Sequence, residues 1–315
     1  MNELERRIRA EIARAGPLRF DRFMEVALYD AELGYYRRGR DPFGVRGDYF
    51  TSSQLQPAFG RLIGRQLEQW DAELGHPRDF TVVELGAGRG ETAREVRAAL
   101  PHIRYIEVEQ SSGELPDRMT GVVFSNEFFD ALPVRVARDG RERSVGLVED
   151  RLAFVDGPAC DGDLDGYLRR FAPNLEPGQI VEVSLEALRW IERIAGCLDR
   201  GLVLTIDYGY RARELVRFPE GTLMSYRRHA ASGEVLADPG ERDLTAHVNW
   251  TALAARGAEL GLDPEPLRTQ LQFLLSIGEA DDFRSVLDLP GGRGQLKTLL
   301  AGMGETFQVL VQRKR

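Results

Sequence analysis

Residues 82–90 read Val-Val-Glu-Leu-Gly-Ala-Gly-Arg-Gly, an apolar run that ends in three closely spaced glycines. A helical pattern over Glu91–Leu100 follows directly. Glycine allows the backbone to turn sharply and lets a ligand approach it, and the first turn of a helix presents free N–H donors. This order predicts a buried strand, a turn and a helix of an α/β protein, with Gly86, Gly88 and Gly90 beside a nucleotide-like ligand.

The turn departs from the dinucleotide fingerprint G-x-G-x-x-G, because Glu91 stands where the last glycine is required. Glu91 would place negative charge near a pyrophosphate, whereas a cofactor with an ammonium and a sulfonium would not be repelled. Glu109 closes the next strand about 20 residues on, where acidic side chains accept hydrogen bonds from ribose hydroxyls. The pattern favours S-adenosylmethionine over NAD or FAD. The alternative is that Glu84 and Glu109 are plain strand-end polar residues beside a tight turn.

From residue 80 onward, short apolar runs alternate with helical patterns. The runs are typical of buried parallel strands, and the alternation predicts a doubly wound, mostly parallel α/β sheet. The predicted strands are Phe80–Leu85, Tyr105–Glu109, Gly121–Ser125, Gln179–Val183 and Leu202–Asp207, and the helices between them include Glu91–Leu100 and Leu185–Leu198.

The remaining patterns divide the chain into four predicted parts. Residues 1–78 form a helical N-terminal layer with one long loop, and residues 79–210 form the core, with an antiparallel meander added to its sheet at about 134–155. Residues 211–300 form a mainly helical inserted cap, which includes the helices Trp250–Leu260 and Gln270–Ile277. Residues 301–315 contribute a final strand, Phe307–Val311.

Charge and composition exclude several classes of protein. Lys and Arg number 42 against 50 Asp and Glu, so the net charge is −8 and no basic surface for a nucleic-acid backbone is expected. The apolar runs are far shorter than the roughly 20 residues of a membrane helix, and no signal-peptide pattern is present. Two distant cysteines indicate neither a disulfide framework nor a cysteine zinc site, which favours a reducing cytoplasm.

Polar residues follow two more of the predicted strands. Asn126, Glu127 and Asp130 stand at the end of the third strand, at the sheet edge where open α/β folds bind ligands. Such side chains can hold a cationic or amine-bearing acceptor, or they can be solvated acids at a helix start. Asp207 ends the strand Leu202–Asp207 at the same edge, where it either lines the acceptor pocket or caps the next loop.

Seven separated segments together resemble the MidA-like methyltransferase family, which includes a mitochondrial protein-arginine methyltransferase of complex I assembly. The resemblance extends from about residue 20 to the end of the chain. The segments are Gly34-Tyr35-Tyr36, residues 47–52, residues 84–90, residues 126–134, residues 207–210, residues 221–229 with Thr222, Tyr226 and His229, and residues 238–248.

The resemblance implies a class I, S-adenosylmethionine-dependent fold with a helical N-terminal layer and an inserted cap. It implies that the glycine turn faces the methionine part of the cofactor, that Glu109 holds the ribose, and that Asn126 and Glu127 border the methyl-donor site. The cofactor-binding residues are then Gly47, Asp48, Thr51, Glu84, Gly86, Gly88, Gly90, Glu109 and Asn126. Of these, Gly47, Asp48 and Thr51 belong to a loop that closes over the cofactor in the family.

Residues 110–120 depart from the class I pattern. They are too few for the helix and third strand that usually separate the strands ending at Glu109 and beginning at Gly121. Because that segment normally helps to wall the adenine, the adenine pocket is expected to be more open here or filled by another segment.

His229 and His247 lie near Asp243 in the predicted cap, but their spacing matches no common metal-ligand pattern. We therefore expect no metal, and a hydrogen-bonded structural role for both histidines.

The predicted activity is methyl transfer from S-adenosylmethionine, with Glu127, Asp130 and Asp207 as catalytic candidates. The resemblance implies a protein arginine as acceptor. Two alternatives stay open: a cofactor-binding assembly factor with weak or no catalysis, and a small-molecule O- or N-methyltransferase. We expect a monomer or a homodimer that binds neither nucleic acid nor membrane.

Overall fold

The computed structural model describes residues 1–37, 57–110, 113–300 and 304–315. These residues form two compact units. The parallel unit comprises residues 57–110, 113–129, 189–209, 253–300 and 304–315. The antiparallel unit comprises residues 1–37, 130–188 and 210–252.

The helices are α1 Glu3–Ala15, α2 Phe20–Tyr29, α3 Ala58–Glu73, α4 Glu91–Ala99, α5 Gly162–Phe171, α6 Leu185–Cys197, α7 Trp250–Glu259, α8 Gln270–Gly278, α9 Arg284–Leu287 and α10 Gly292–Thr298. The predicted helices at 91–100, 185–198, 250–260 and 270–277 are confirmed to within one or two residues.

The strands are β1 Leu18–Arg19, β2 Thr81–Leu85, β3 Arg104–Val108, β4 Met119–Asn126, β5 Arg135–Arg138, β6 Arg141–Val148, β7 Arg151–Ala159, β8 Ile180–Val183, β9 Leu198–Asp207, β10 Gly209–Tyr210, β11 Met224–Arg227, β12 Ala230–Ser232, β13 Asp243–Thr245, β14 Val248–Asn249, β15 Asp263–Pro264, β16 Arg268–Thr269 and β17 Gln308–Lys314.

The sheet of the parallel unit has the order β15-β17-β9-β4-β2-β3, with β16 also paired to β17. The pairs β3–β2, β2–β4 and β4–β9 are parallel, whereas β17 runs antiparallel to β9. Leu85 lies opposite Val108 and Ser125, and Asn126 lies opposite Ile206. The carboxyl ends of β2, β3, β4 and β9 are therefore level, and the residues that follow them share one edge. This sheet confirms the predicted α/β class and the predicted final strand.

Apolar side chains of α3 form much of the core on one face of this sheet. Phe59, Leu62 and Ile63 are fully buried and belong to one cluster with Val82 and Leu204 of the strands. Burial of such side chains contributes about 1.5–3 kcal/mol each. This packing holds the strand ends in register.

Two glycines allow the central strands to approach closely. Gly121 of β4 lies opposite both Thr81 of β2 and Gly201 of β9, and both glycines have a φ of 146°. A Cβ on Gly121 would lie 2.0 Å from the Thr81 carbonyl oxygen, and one on Gly201 would lie 1.9 Å from that of Gly121. Any side chain there would force the strands apart.

Gly121→Ala is therefore expected to lower the free energy of unfolding by at least about 3 kcal/mol, because it combines backbone strain with overlap in a packed sheet. Urea denaturation measures this change. Gly166→Ala is the matched control, because a Cβ there meets nothing within 4 Å in α5, and it should stabilise by about 1 kcal/mol. A loss of only about 1 kcal/mol for Gly121→Ala, an ordinary substitution cost, would contradict this account.

The antiparallel unit corrects two predictions. The run Gln179–Val183 was expected to be a parallel core strand, but β8 pairs antiparallel with β5. The meander of β5, β6 and β7 is present, but it is not added to the parallel sheet, since it forms a separate sheet with β1 and β8. Val181 and Val183 are fully buried, so their apolar pattern matched a core strand without indicating its partner.

The described part of the N-terminal layer begins with helix α1. Its apolar positions Leu4, Ile8 and Ile12 are all buried, and the Asn2 side chain accepts a hydrogen bond from the Glu5 N–H at its start. These side chains join Phe20 and Phe23 of α2 in one cluster, as the four-residue spacing indicates.

Residues 211–300 differ from the expected pattern of loops and helices. A short 3-10 helix at Ala212–Arg217 is followed by the short strands β11, β12, β13 and β14 between residues 224 and 249, and α-helices follow from Trp250. The proposed domain boundaries at 1–78, 79–210, 211–300 and 301–315 stay a prediction.

Candidate functional site

The glycine turn after β2 has the conformation that its sequence predicts. Gly86, Gly88 and Gly90 have φ values of 68°, 57° and 67°, in the left-handed region that favours glycine. Gly90 caps the start of α4 and has no side chain to satisfy the helix N–H groups. A Cβ on Gly86 would lie 3.0 Å from the ring of Phe128, so Phe128 packs directly against the turn and a side chain at residue 86 would crowd it.

Glu109 meets this turn although it is more than 20 residues away in sequence. The Gly88 N–H donates a hydrogen bond to Glu109 Oε1 across 3.0 Å, and the Glu109 side chain stands on the exposed side of the sheet edge. A carboxylate accepts several hydrogen bonds, so one fixed in this way can also accept from two hydroxyl groups. The turn and the acid that the sequence predicts to hold one ligand are thus brought together.

Glu84, the last polar residue of β2, is 5% exposed. Tyr105 donates a hydrogen bond from its hydroxyl to Glu84 Oε2 across 2.8 Å, and Thr92 of α4 also bonds to the carboxyl. Burial raises the pKa of Glu84 to about 8. These contacts support the turn from inside the sheet, and the predicted role of Glu84 in cofactor binding stays a prediction.

The raised pKa of Glu84 has a consequence for stability. Because the folded-state pKa of about 8 exceeds the ordinary value of 4.5, folding favours the protonated form, and stability is lost as pH rises from about 4.5 to 8. Glu84→Gln mimics the protonated acid. Relative to the natural chain it should therefore gain on the order of 3 kcal/mol between pH 5 and pH 9.

Urea denaturation at the two pH values measures this gain. Glu192→Gln is the control, because that carboxylate pairs with Arg256 at the exposed surface of the parallel unit. If the free energy of unfolding changed with pH in the same way for Glu84→Gln and for the natural chain, Glu84 would titrate in the ordinary range and this account would be wrong.

Glu127 follows β4 and has both carboxylate oxygens engaged. Asn126 donates from Nδ2 to Oε1 across 3.0 Å, and Tyr208 donates from its hydroxyl to Oε2 across 3.0 Å. Glu127 has a φ of 54°, unusual for a residue with a side chain, and its N–H donates to the Ile206 carbonyl. Asn126 Oδ1 is buried and accepts no hydrogen bond from the described part of the chain. An orphaned acceptor beside an oriented carboxylate is suited to N–H donors of a ligand.

Asp207 ends β9 with a side chain that is fully buried. Its Oδ2 accepts a hydrogen bond from the Phe129 N–H across 3.0 Å, and its Oδ1 accepts from the Tyr208 N–H across 2.8 Å. These contacts tie the residues after β4 to those after β9. They favour the capping role over the catalytic role, which stays a prediction.

Of the other predicted site residues, Asp130 falls in the antiparallel unit and its catalytic role stays a prediction, and three residues are not described. Asp130 belongs to the antiparallel unit, where it is 4% exposed and its carbonyl accepts a hydrogen bond from the Ala246 N–H. Gly47, Asp48 and Thr51 lie outside the described residues.

Several of the recognised segments meet inside the antiparallel unit. Tyr36 donates from its hydroxyl to Asp243 Oδ1 across 2.8 Å. The carboxylate of Glu182 accepts from both the N–H and the hydroxyl of Thr222, and the His247 N–H donates to that hydroxyl. The first contact joins Tyr36 to β13, and the others join β8 and the turn between β13 and β14 to the loop before β11. These residues therefore have a structural role in the antiparallel unit.

Burial lowers the pKa of His247. Its ring lies edge-on to Phe218 at 5.2 Å between ring centroids. Within residues 1–37, 57–110, 113–300 and 304–315, no group of three or more His, Cys, Asp or Glu side chains is arranged to hold a metal ion. In the same ranges, no helix is both long and apolar enough to cross a membrane.

Sequence reasoning missed two hydroxyl groups. Tyr105 and Tyr208 orient Glu84 and Glu127, and neither hydroxyl was named as the partner of a carboxylate. Tyr208 stands directly after Asp207 in a recognised segment at the sheet edge, and this position was the available signal.

The edge suits a nucleoside that carries a positive charge. It offers the fixed carboxylate of Glu109 and the orphaned Asn126 Oδ1, which attract a sulfonium and N–H donors. The turn also carries a basic residue, Arg89, whose Nη1 lies 3.6 Å from Glu91 Oε1. The residues present therefore fit S-adenosylmethionine.

Comparison with known proteins agrees with this chemistry. The family described as "Putative S-adenosyl-L-methionine-dependent methyltransferase" matches residues 97–267, more than half of the chain. A crystal structure from Burkholderia thailandensis, described as a "likely methyl transferase" bound to S-adenosyl-homocysteine, is similar with a TM-score of 0.87 and 30% identity. The alignment covers 99% of this chain and 92% of that one.

The curated relatives include protein arginine methyltransferases. The Drosophila melanogaster NDUFAF7 homolog is 28% identical over 314 residues, which is 78% of this chain and 68% of that protein. The human protein arginine methyltransferase NDUFAF7 is 26% identical over 374 residues, covering 96% of this chain and 81% of its own length.

Proposed function

The chain belongs to the MidA-like family of S-adenosyl-L-methionine-dependent methyltransferases, and on that premise we propose that its acceptor is an arginine side chain of a protein. The observation that carries the proposal is the Glu127 carboxylate, oriented by Asn126 and Tyr208 at the carboxyl edge of the sheet. A guanidinium is the group that a fixed carboxylate recognises best. The naming of several relatives as protein arginine methyltransferases supports the same acceptor.

In this proposal the cofactor lies along the same edge. Gly86, Gly88 and Gly90 face its methionine part, Glu109 accepts from the ribose hydroxyls, and Asn126 Oδ1 accepts from an N–H of a bound molecule. When bound, S-adenosylmethionine supplies a methyl group on an electrophilic sulfonium.

Glu127 acts on the acceptor. A protonated guanidinium is a poor nucleophile, so the carboxylate must both hold its N–H groups in the required direction and take up a proton. Glu127 accepts the proton that the nitrogen loses as the new N–C bond forms in place of the bond between the methyl carbon and sulfur. Tyr208 keeps the carboxylate in place through one hydrogen bond and is therefore a positioning residue.

Incubation of the purified chain with cell lysate and a methyl donor labelled in the methyl group tests the acceptor. Mass spectrometry of digested proteins should find the label on arginine residues, and the Glu127→Gln variant should not produce it. Label found solely on metabolites would overturn the arginine proposal and support the small-molecule alternative. No labelled product, together with normal cofactor binding, would support the assembly factor without catalysis.

A further inference from the structure

Beyond the carboxyl end of β3, the described residues 113–118 provide no helix or strand that could wall the base of the cofactor. β3 is the edge strand of the parallel sheet, and residues 113–118, which lead to β4, form neither helix nor strand. A nucleoside whose ribose is held by Glu109 would place its base beyond this edge. Another part of the parallel unit must cover the base if the cofactor is to be held tightly.

The indole of Trp190, on α6, lies next to that edge. A Cβ on Gly113 would lie 2.7 Å from the indole Cη2 and 3.2 Å from the carbonyl oxygen of Glu109. On another side, the indole contacts Phe128 edge-on, with ring centroids 5.0 Å apart. The Phe128 ring in turn lies 3.0 Å from the Cβ position of Gly86. Trp190 therefore neighbours Gly113 and Phe128, and these two residues adjoin the Glu109 backbone and the glycine turn, respectively.

A flat cation covers this indole. The guanidinium carbon of Arg193 is 4.0 Å from the centroid of the Trp190 ring, and Arg193 Nη2 donates to the Gly113 carbonyl. Trp190 itself is 1% exposed, whereas Arg193 is exposed. The guanidinium thus occupies a stacking position on an aromatic face that is otherwise shielded from solvent.

The magnitudes favour a base over the guanidinium at this face. An exposed cation–π contact contributes about 0.5–1 kcal/mol, and stacking of a nucleobase on an aromatic side chain contributes about 1–3 kcal/mol. Arg193 is also long and flexible, so that it can move into solvent at small cost.

We propose that the Trp190 face under Arg193 is the stacking surface for the adenine of the cofactor, and that Arg193 leaves this face when adenine binds. The inference rests on the proposed cofactor site at the same sheet edge. In this inference Trp190 covers the adenine, in place of the helix and strand for which residues 110–120 are too few. The expected ligand is a purine nucleoside, which should bind more tightly than the same compound without its base.

Calorimetry with two probes tests the proposal on the full chain. S-adenosylhomocysteine carries the adenine, and S-ribosylhomocysteine lacks it, so the ratio of their Kd values reports the contribution of the base. Trp190→Leu should weaken S-adenosylhomocysteine about tenfold or more and leave S-ribosylhomocysteine unchanged. Arg193→Ala should tighten S-adenosylhomocysteine about two- to fivefold, because a competitor for the face is removed. Arg256→Ala, which removes a partly exposed arginine of the parallel unit, should change neither.

An unchanged Kd ratio in a folded Trp190→Leu variant would overturn the proposal, and so would weaker S-adenosylhomocysteine binding by Arg193→Ala. If Trp190→Leu does not fold, as judged by circular dichroism, the Arg193→Ala result decides. A natural chain that binds neither probe would overturn the proposed function itself. Binding of S-adenosylhomocysteine without any effect of the variants would overturn only the role of Trp190.

Discussion

Glu127→Gln is expected to reduce kcat by at least about 100-fold, within the range for loss of a positioned general base. Glutamine has the shape of glutamate and can still accept from Tyr208, so the fold of the site should be kept. It cannot neutralise a guanidinium or accept its proton. The affinity for S-adenosylhomocysteine should therefore be unchanged, and the loss should appear in single-turnover methylation rates.

Two further variants make this result specific. Tyr208→Phe removes one hydrogen bond to Glu127 and should cost about tenfold in kcat, which is less than the loss of the charge itself. Glu192→Gln removes a surface carboxylate of the same unit and should leave the rate as it is. A normal rate for Glu127→Gln with normal cofactor affinity would contradict the role that we give to Glu127.

Glu142→Gln is expected to destabilise the antiparallel unit by about 3–5 kcal/mol, because it leaves the charge of Arg135 buried without its main partner. Glu142 is 1% exposed and accepts two hydrogen bonds from Arg135, at 2.7 and 2.6 Å. These hydrogen bonds and the nearby carboxylates raise the pKa of Arg135, so that its charge is retained. Differential scanning calorimetry should show the loss as a large fall in Tm.

Asp161 provides the matched comparison. It also pairs with Arg135, at 2.7 Å, but its side chain is 53% exposed, so Asp161→Asn should cost less than about 1 kcal/mol. Asparagine also keeps the helix cap that Asp161 provides to the Leu164 N–H. Replacing both Arg135 and Glu142 by apolar residues should restore much of the stability. Equal losses for Glu142→Gln and Asp161→Asn would show that burial does not set the cost.

The glycine turn was predictable because its signals are local. Gly86, Gly88 and Gly90 must adopt positive φ, and a strand and a helix on either side of them leave few other conformations. The meeting of Gly88 with Glu109 follows from the parallel pairing of β2 with β3, which the alternation of strands and helices indicates.

The sheet to which β8 belongs was not predictable in the same way. Its residues are buried as those of a parallel core strand would be, and the apolar pattern reports burial but not the neighbouring strand. The partner depends on the pairing with β5 across more than 40 residues, a contact that no local pattern reveals.

The hydroxyl groups of Tyr105 and Tyr208 show a further limit. Aromatic residues are usually assigned to the core for their apolar area, and the partner of a hydroxyl depends on which side chains the fold brings near it. Asp207 is the opposite case, because its position suggested a pocket residue and the fold directs backbone N–H groups to both its oxygens.

Calorimetric binding of S-adenosylhomocysteine to the natural chain and to Glu109→Gln tests the cofactor site most directly. The account predicts binding by the natural chain and a loss of about tenfold or more in affinity for the variant, since hydrogen bonds to a charged carboxylate contribute about 1.5–3 kcal/mol. Equal affinity in the two proteins, or no binding by the natural chain, would contradict the assignment of the cofactor to the edge formed by Gly86, Gly88, Gly90 and Glu109.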